Sequence, residues 1–193
     1  MIYIPGKQFP LSRGVNKGII NYYMKNNMES SVFLEATESR GSYDKAYIID
    51  QGMSKHYGSV PNESYGQYFT LGINKNVLIS AYSLCSTSGA KCSLLSWDFS
   101  VSNDNINWTV VETHINNTIL LSGEMISFVI DKPITAKYFK WTNRGINGCQ
   151  DTPMYIYEAE IFGIIDPFIN NNSCKRLFNR FLYNFLFSNI LIN

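Results

Sequence analysis

The chain has 193 residues, 45% of them apolar and 16% charged, which suits one domain with a full core and an appendage. Sixteen basic against fifteen acidic residues give a net charge of +1. There is no basic stripe, and with it the electrostatic footprint of a nucleic-acid binder is excluded. Thirteen tyrosines and twelve phenylalanines favour β structure.

Residues 1–19 are punctuated by Pro5, Gly6, Pro10, Gly14 and Gly18 and read as an irregular lead-in. Gly18–Tyr23 is a short apolar element, either strand or single-turn helix. Ser31–Thr37 is a strand candidate. Glu38–Asp44 is a loop, and Lys45–Asp50 leads into a longer loop over 51–66. Gln67–Ile73 and Val77–Leu84 are predicted as two strands, and Cys85–Ser93 as a loop of small residues.

Ser96–Val110, SWDFSVSNDNINWTV, is the most informative stretch. Trp97, Phe99 and Val101 alternate with Asp98 and Ser100, the pattern of a half-buried strand. Ser102-Asn103-Asp104-Asn105 then breaks it with residues whose short side chains bond back to the main chain. Trp108 opens the next strand, so the stretch predicts an antiparallel hairpin. Beyond a polar connection over 112–124, Met125–Ile130 and Ala136–Thr142 read as two strands with Pro133 as the breaker between them. Asn143–Pro153 is a loop. Met154–Gly163 is a last alternating strand that places Tyr155, Tyr157, Ala159 and Ile161 on one face.

About eight antiparallel strands with no long amphipathic helix before residue 164 predict an all-β jelly-roll sandwich. The motif Trp97…Ser102-Asn103-Asp104…Asn107-Trp108, together with the Glu158–Gly163 strand end, resembles the discoidin, or coagulation factor 5/8 type C, family. That family has a galactose-binding-like jelly roll. Its usual turn glycine is absent; Asn105 follows Asp104, and Asn can also supply positive φ. The resemblance covers roughly Phe9–Gly163 and implies one domain over residues 20–163. It implies that Trp97 is interior and that Trp108 is at least partly buried, each an anchor and not a sugar platform.

Residues 164–193 lie outside the resemblance. Lys175–Asn193 has a narrow polar stripe of Arg180, Asn184 and Ser188 on an otherwise apolar wheel. It is too short to span a bilayer. An interfacial or docking helix and a non-native extension are the two readings, and any membrane contact is expected only through this tail.

The chain has no nucleophile elbow, no phosphate-binding glycine loop and no H-E-x-x-H. His56 and His114 read as solvated loop residues. The resemblance implies a non-catalytic recognition module that binds a ligand, a glycan first and a protein as the alternative, through loops at one end of the barrel. In the loops at 38–45 and 51–66 this singles out Arg40, Tyr43, Lys45, His56, Tyr57 and Tyr65. In those at 85–93 and 143–153 it singles out Lys91, Arg144, Asn147 and Gln150. Arg, Asn, His and Tyr combine planar hydrogen-bonding groups with aromatic faces, as vicinal hydroxyls and a sugar ring require. No organic cofactor is expected. A structural calcium ion on Asp50, Ser54 and Glu158 is the candidate metal, since hard cations take oxygen ligands.

The four cysteines, Cys85, Cys92, Cys149 and Cys174, form no C-x-x-C pair. None precedes Cys85, so the bridge that ties the ends of secreted relatives cannot form. With no secretory leader at the start, the expectation is four free thiols in a reducing, cytoplasmic compartment. Cys85 and Cys92 flank one loop and are the pair to test for a bridge. The sequons at Asn62, Asn107, Asn116 and Asn171 carry no weight without export.

Overall fold

Trp97, Phe99 and Val101 do point inward, and the fold builds outward from them. The computed structural model describes residues 6–11, 17–50, 55–61, 65–86 and 91–166. Among the described residues the strands are β1 (Gln8–Phe9), β2 (Val32–Ala36), β3 (Tyr57–Gly58), β4 (Tyr68–Cys85), β5 (Trp97–Ser102), β6 (Thr109–His114), β7 (Ile126–Asn143), β8 (Tyr155–Ile156) and β9 (Glu158–Ile165), with one α-helix, α1 (Ile19–Lys25), and three short 3-10 turns. The apolar element after Gly18 is therefore helix. Of the apolar tail, residues 167–193 lie outside the described residues.

The four strands predicted around the breaks are fused into two. Gln67–Ile73 and Val77–Leu84 are halves of β4, and Met125–Ile130 and Ala136–Thr142 are halves of β7. Pro133 is not a turn. It falls where the ladder slips between Ile79↔Ile134 and Ala81↔Val129, so extra residues of β7 oppose Ser80 alone. Proline cannot donate to a ladder, and a bulge is where a strand tolerates it. A second slip lies between Gly72 and Val77.

These slips let each long strand serve two layers. Tyr68–Gly72 pairs with β2 and with Tyr138–Thr142, and the second half of β7 continues to β5 and β6. Val77–Cys85 pairs with the first half of β7 and with β9, which pairs with β1. The result is a five-stranded layer facing a four-stranded one.

Aromatic rings fill the space between them. Tyr82 of the second layer stacks on Phe99 of the first at 4.4 Å, and Phe128 meets Trp97 edge-on at 5.4 Å. Phe69 stacks on Trp141 at 4.7 Å within the first layer. Each fully buried side chain of this size contributes about 1.5–3 kcal/mol of transfer free energy.

The β5–β6 turn forms as the sequence requires. The Ser102 hydroxyl accepts from the amides of Asp104 and Asn105. The Asp104 carboxylate accepts from the amides of Ile106 and Asn107 and from the Asn107 side chain. Those donors, the Asn107 amide first, hold its pKa well below the usual carboxylate range. Asn105 takes φ 61°, the left-handed conformation that the missing glycine would otherwise supply.

Candidate functional site

Hydrogen bonds tie the four predicted loops together at one end of the sandwich. Ser39 bridges Ser59, the Arg40 amide donates to Gly58 O, and β3 pairs with β8. The Ser86 hydroxyl donates to Tyr155 O and accepts from Leu94 N, linking the 85–93 segment to β8. The Gly148 amide donates to Ser93 O, and the Gly66 amide to Asn143 O.

Within this end the rings gather at one corner. Tyr43 stacks on His56, with centroids 4.7 Å apart and planes 25° apart. Tyr155 meets both edge-on, at 6.4 and 5.6 Å, and Tyr157 lies 5.0 Å from His56. Gly58 is what lets them close up: a Cβ there would stand 2.9 Å from the Tyr155 ring and 3.3 Å from Tyr43 Cβ. Tyr43 remains 38% exposed. Burial lowers the His56 pKa, so near neutral pH its imidazole is uncharged and offers one donor and one acceptor. His56 is thus a half-buried member of an aromatic cluster and not a solvated loop residue. Arg40 is exposed and closes a turn onto Tyr43, whose amide donates to Arg40 O. Lys45 is exposed just beyond.

The other singled-out residues separate into three kinds. Tyr57 is fully buried, its hydroxyl donating to Thr37 O at 2.8 Å, so it supports the corner from below. Asn147 is 1% exposed and turned into its own loop: its side-chain oxygen accepts from the amides of Cys149 and Asp151, and its Nδ2 donates to Pro153 O. It shapes the 143–153 loop and has no face left for a ligand. Tyr65, Lys91, Arg144 and Gln150 are exposed on the loops of this end. Arg144 pairs with Asp98 at 3.3 Å, and Asp98 also accepts from the Thr113 hydroxyl.

Of the calcium candidates, Asp50 is exposed, Ser54 lies outside the described residues and Glu158 is buried in β9 opposite Cys85. Among the described residues no three His, Cys, Asp or Glu side chains are grouped to hold a metal. Burial pushes the Glu158 carboxyl from 4.5 up to about 7. A raised carboxyl means that the folded state binds its proton more tightly than the unfolded chain. Its contribution to stability is therefore present below about pH 4.5 and is lost as pH rises through about 7. Glu160 is lifted to the same value, so thermal melts should give a Tm several degrees higher at pH 5.5 than at pH 8, and Glu158→Gln should remove part of that slope and leave the Glu160 part.

Two features escaped the sequence reading. His114 is the last residue of β6, not a loop residue. It stacks on Trp97 at 4.3 Å, and its Nε2 lies between the Tyr82 hydroxyl at 3.1 Å and Glu112 at 3.4 Å. The second is a disulfide: Cys92 and Cys149 are bonded, with Cα atoms 4.5 Å apart, and Cys85 is buried and free. The expectation of four free thiols is corrected here, and so is the choice of Cys85 as a partner for Cys92. Cys85 is the last residue of β4, paired with Glu158 of β9, where burial pushes its thiol up to about 11, whereas the loop fold brings residue 149 back over residue 92. The argument for a reducing compartment loses the support of unpaired thiols, since such bridges persist in oxidising surroundings. Cys174 lies outside the described residues. Non-reducing peptide mapping should recover a linked Cys92–Cys149 pair, with Cys85 alkylated only after denaturation; a Cys85–Cys92 link would contradict the structure.

No family model matches the chain, and no curated protein matches it. Solved structures do. The family 32 carbohydrate-binding module (CBM32) of Clostridium perfringens NanJ, solved with galactose, aligns with a TM-score of 0.57 at 19% identity, over 69% of this chain and 95% of that one. A CBM32 module of C. perfringens GH89, solved with GalNAc-β-1,3-galactose, gives 0.59 at 18%, over 70% and 97%. Chitosan-binding module 1 of a Paenibacillus sp. IK-5 chitosanase/glucanase gives 0.58 at 18%, over 69% and 96%. At these identities the likeness establishes the fold, a galactose-binding-like β-sandwich.

Proposed function

We propose that the chain is a non-catalytic carbohydrate-recognition module whose ligand sits at the Tyr43–His56–Tyr155 corner. The observation that carries this reading is an exposed stack of rings beside an uncharged imidazole, held on loops by a rigid sandwich. A pyranose presents an apolar C–H face and a rim of hydroxyls. Tyr43 supplies the stacking surface for the first, and His56 and Arg40 supply hydrogen-bonding groups for the second. The structural neighbours named above were solved with galactose or GalNAc-β-1,3-galactose, or are named for chitosan, which supports a glycan over a protein ligand.

A glycan array probed with the full chain should show binding to a defined set of sugars, terminal galactose and GalNAc among the probes. Tyr43→Ala should weaken the strongest of these at least tenfold, about 1.4 kcal/mol, while leaving the Tm within about 2 °C. Undiminished binding by Tyr43→Ala would move the site elsewhere.

A further inference from the structure

The outward face of the five-stranded layer carries a second set of aromatic rings, none of them part of the loop-end cluster. Glu35, Thr70, Lys140 and Ser100 stand opposite one another across four strands. In the next row Phe33 and Tyr138 flank Gly72, and their rings meet edge to face at 5.3 Å.

The β5–β6 turn folds over this face. Asn105 Nδ2 donates to Glu35 at 3.4 Å, and Tyr68 donates its hydroxyl to the other Glu35 oxygen at 2.7 Å. Lys140 Nζ lies 3.9 Å from the Trp108 ring and 5.7 Å from that of Tyr68. Trp108 is half-buried on this outer side and not in the sandwich interior. Beneath the cluster Thr70 is 1% exposed, and its hydroxyl has no hydrogen-bond partner among the described residues.

The chemistry of this face selects one ligand class. Glu35 and Lys140, one acid and one base, stand on either side of Thr70, so the cluster carries no net charge to hold an ionic ligand. Rings at both ends of it offer stacking to C–H faces. The carboxylate, ammonium and amide between them offer donors and acceptors to hydroxyls. From β2 to β5 the face spans three strand spacings, about 14 Å, which is room for several sugar rings. We infer that this face is a second glycan-binding surface that takes an uncharged polysaccharide chain laid across the strands, with Trp108 as its platform, a role beyond the anchoring that the resemblance implies.

Affinity electrophoresis of the full chain tests this, in gels containing galactan, xylan, galactomannan or mixed-linkage β-glucan, with polygalacturonate as the charged comparison. Tyr43→Ala removes the loop-end platform, so a failure there is read separately. At least one neutral polysaccharide should retard the Tyr43→Ala protein. In that background Trp108→Ala should cut the association constant at least tenfold, and Trp108→Phe should keep part of it. Phe33→Ala, on an exposed ring, provides the same test should Trp108→Ala fail to fold. The inference is overturned if no neutral polysaccharide retards Tyr43→Ala, if retardation is confined to polygalacturonate, or if folded Trp108→Ala and Phe33→Ala both migrate like their parent.

Discussion

Trp97→Ala is expected to unfold the protein or bring it to the edge of unfolding. The side chain is fully buried between the layers, stacked on His114 at 4.3 Å and met edge-on by Phe128 at 5.4 Å. Its Nε1 donates to the Tyr82 hydroxyl at 3.2 Å, and that hydroxyl also faces His114. Truncation therefore removes the ring that joins the two layers and takes away the donor at the inner end of a polar chain through Tyr82 and His114. Loss of a buried Trp costs about 3–5 kcal/mol, a large share of the ~5–15 kcal/mol available to a domain. Trp97→Phe keeps an aromatic ring in the site and loses the N–H and part of the ring area, so it should cost less. Urea unfolding followed by circular dichroism reads both. A Trp97→Ala midpoint equal to that of the wild type would place Trp97 outside the core and overturn the register of β5.

Alternation is what made this part of the fold legible. A strand shows its period of two wherever one face meets a core, and Trp97–Phe99–Val101 does so without interruption. The turn was legible for the same reason: Ser102, Asp104 and Asn105 act through their own main chain. Bulges are local in a different way. Pro133 breaks the periodicity just as a turn would, and only the partner strand reveals that the chain runs straight on. The disulfide was illegible because Cys92 and Cys149 are 57 residues apart and meet only once the 143–153 loop has folded back. The candidate site divides along the same line. Tyr43 and His56 were named from loop position and chemistry, whereas Tyr155 and Tyr157 were read as ordinary strand residues. Their outward side becomes part of a ring cluster only when β8 docks on β3. Asn147 shows the converse: the residue type that suits a sugar hydroxyl equally suits a loop that must satisfy its own amides.

Glu160→Ala should cost about as much as the tryptophan, by another route. Helix α1 has no side chain of its own to cap its first turn, and its Ile19, Ile20, Asn21 and Tyr23 are buried. The cap comes from β9. Glu160, itself 1% exposed, accepts from the amides of Ile20, Asn21 and Ile161, each at 2.8 Å. Gly18 admits this carboxylate to the helix: a Cβ at that position would lie 2.3 Å from Glu160 Cγ and 2.5 Å from Ile161 O. Burial lifts the Glu160 carboxyl to about 7, against the pull of the three amides. Alanine would leave those buried donors without an acceptor, at about 1–3 kcal/mol apiece before relaxation, for a total on the order of 3–5 kcal/mol. Glu160→Gln keeps the shape but sets an N–H₂ against one of the amides, so it should fall between. Gly18→Ala should reproduce the loss from the other side of the same contact. Hydrogen exchange distinguishes this from general weakening. In Glu160→Ala the amides of residues 20–25 should lose protection well before those of β4 and β5, because the helix is released while the layers stay paired. Equal loss across all of them would mean that Glu160 stabilises the sandwich directly and that the helix cap is incidental.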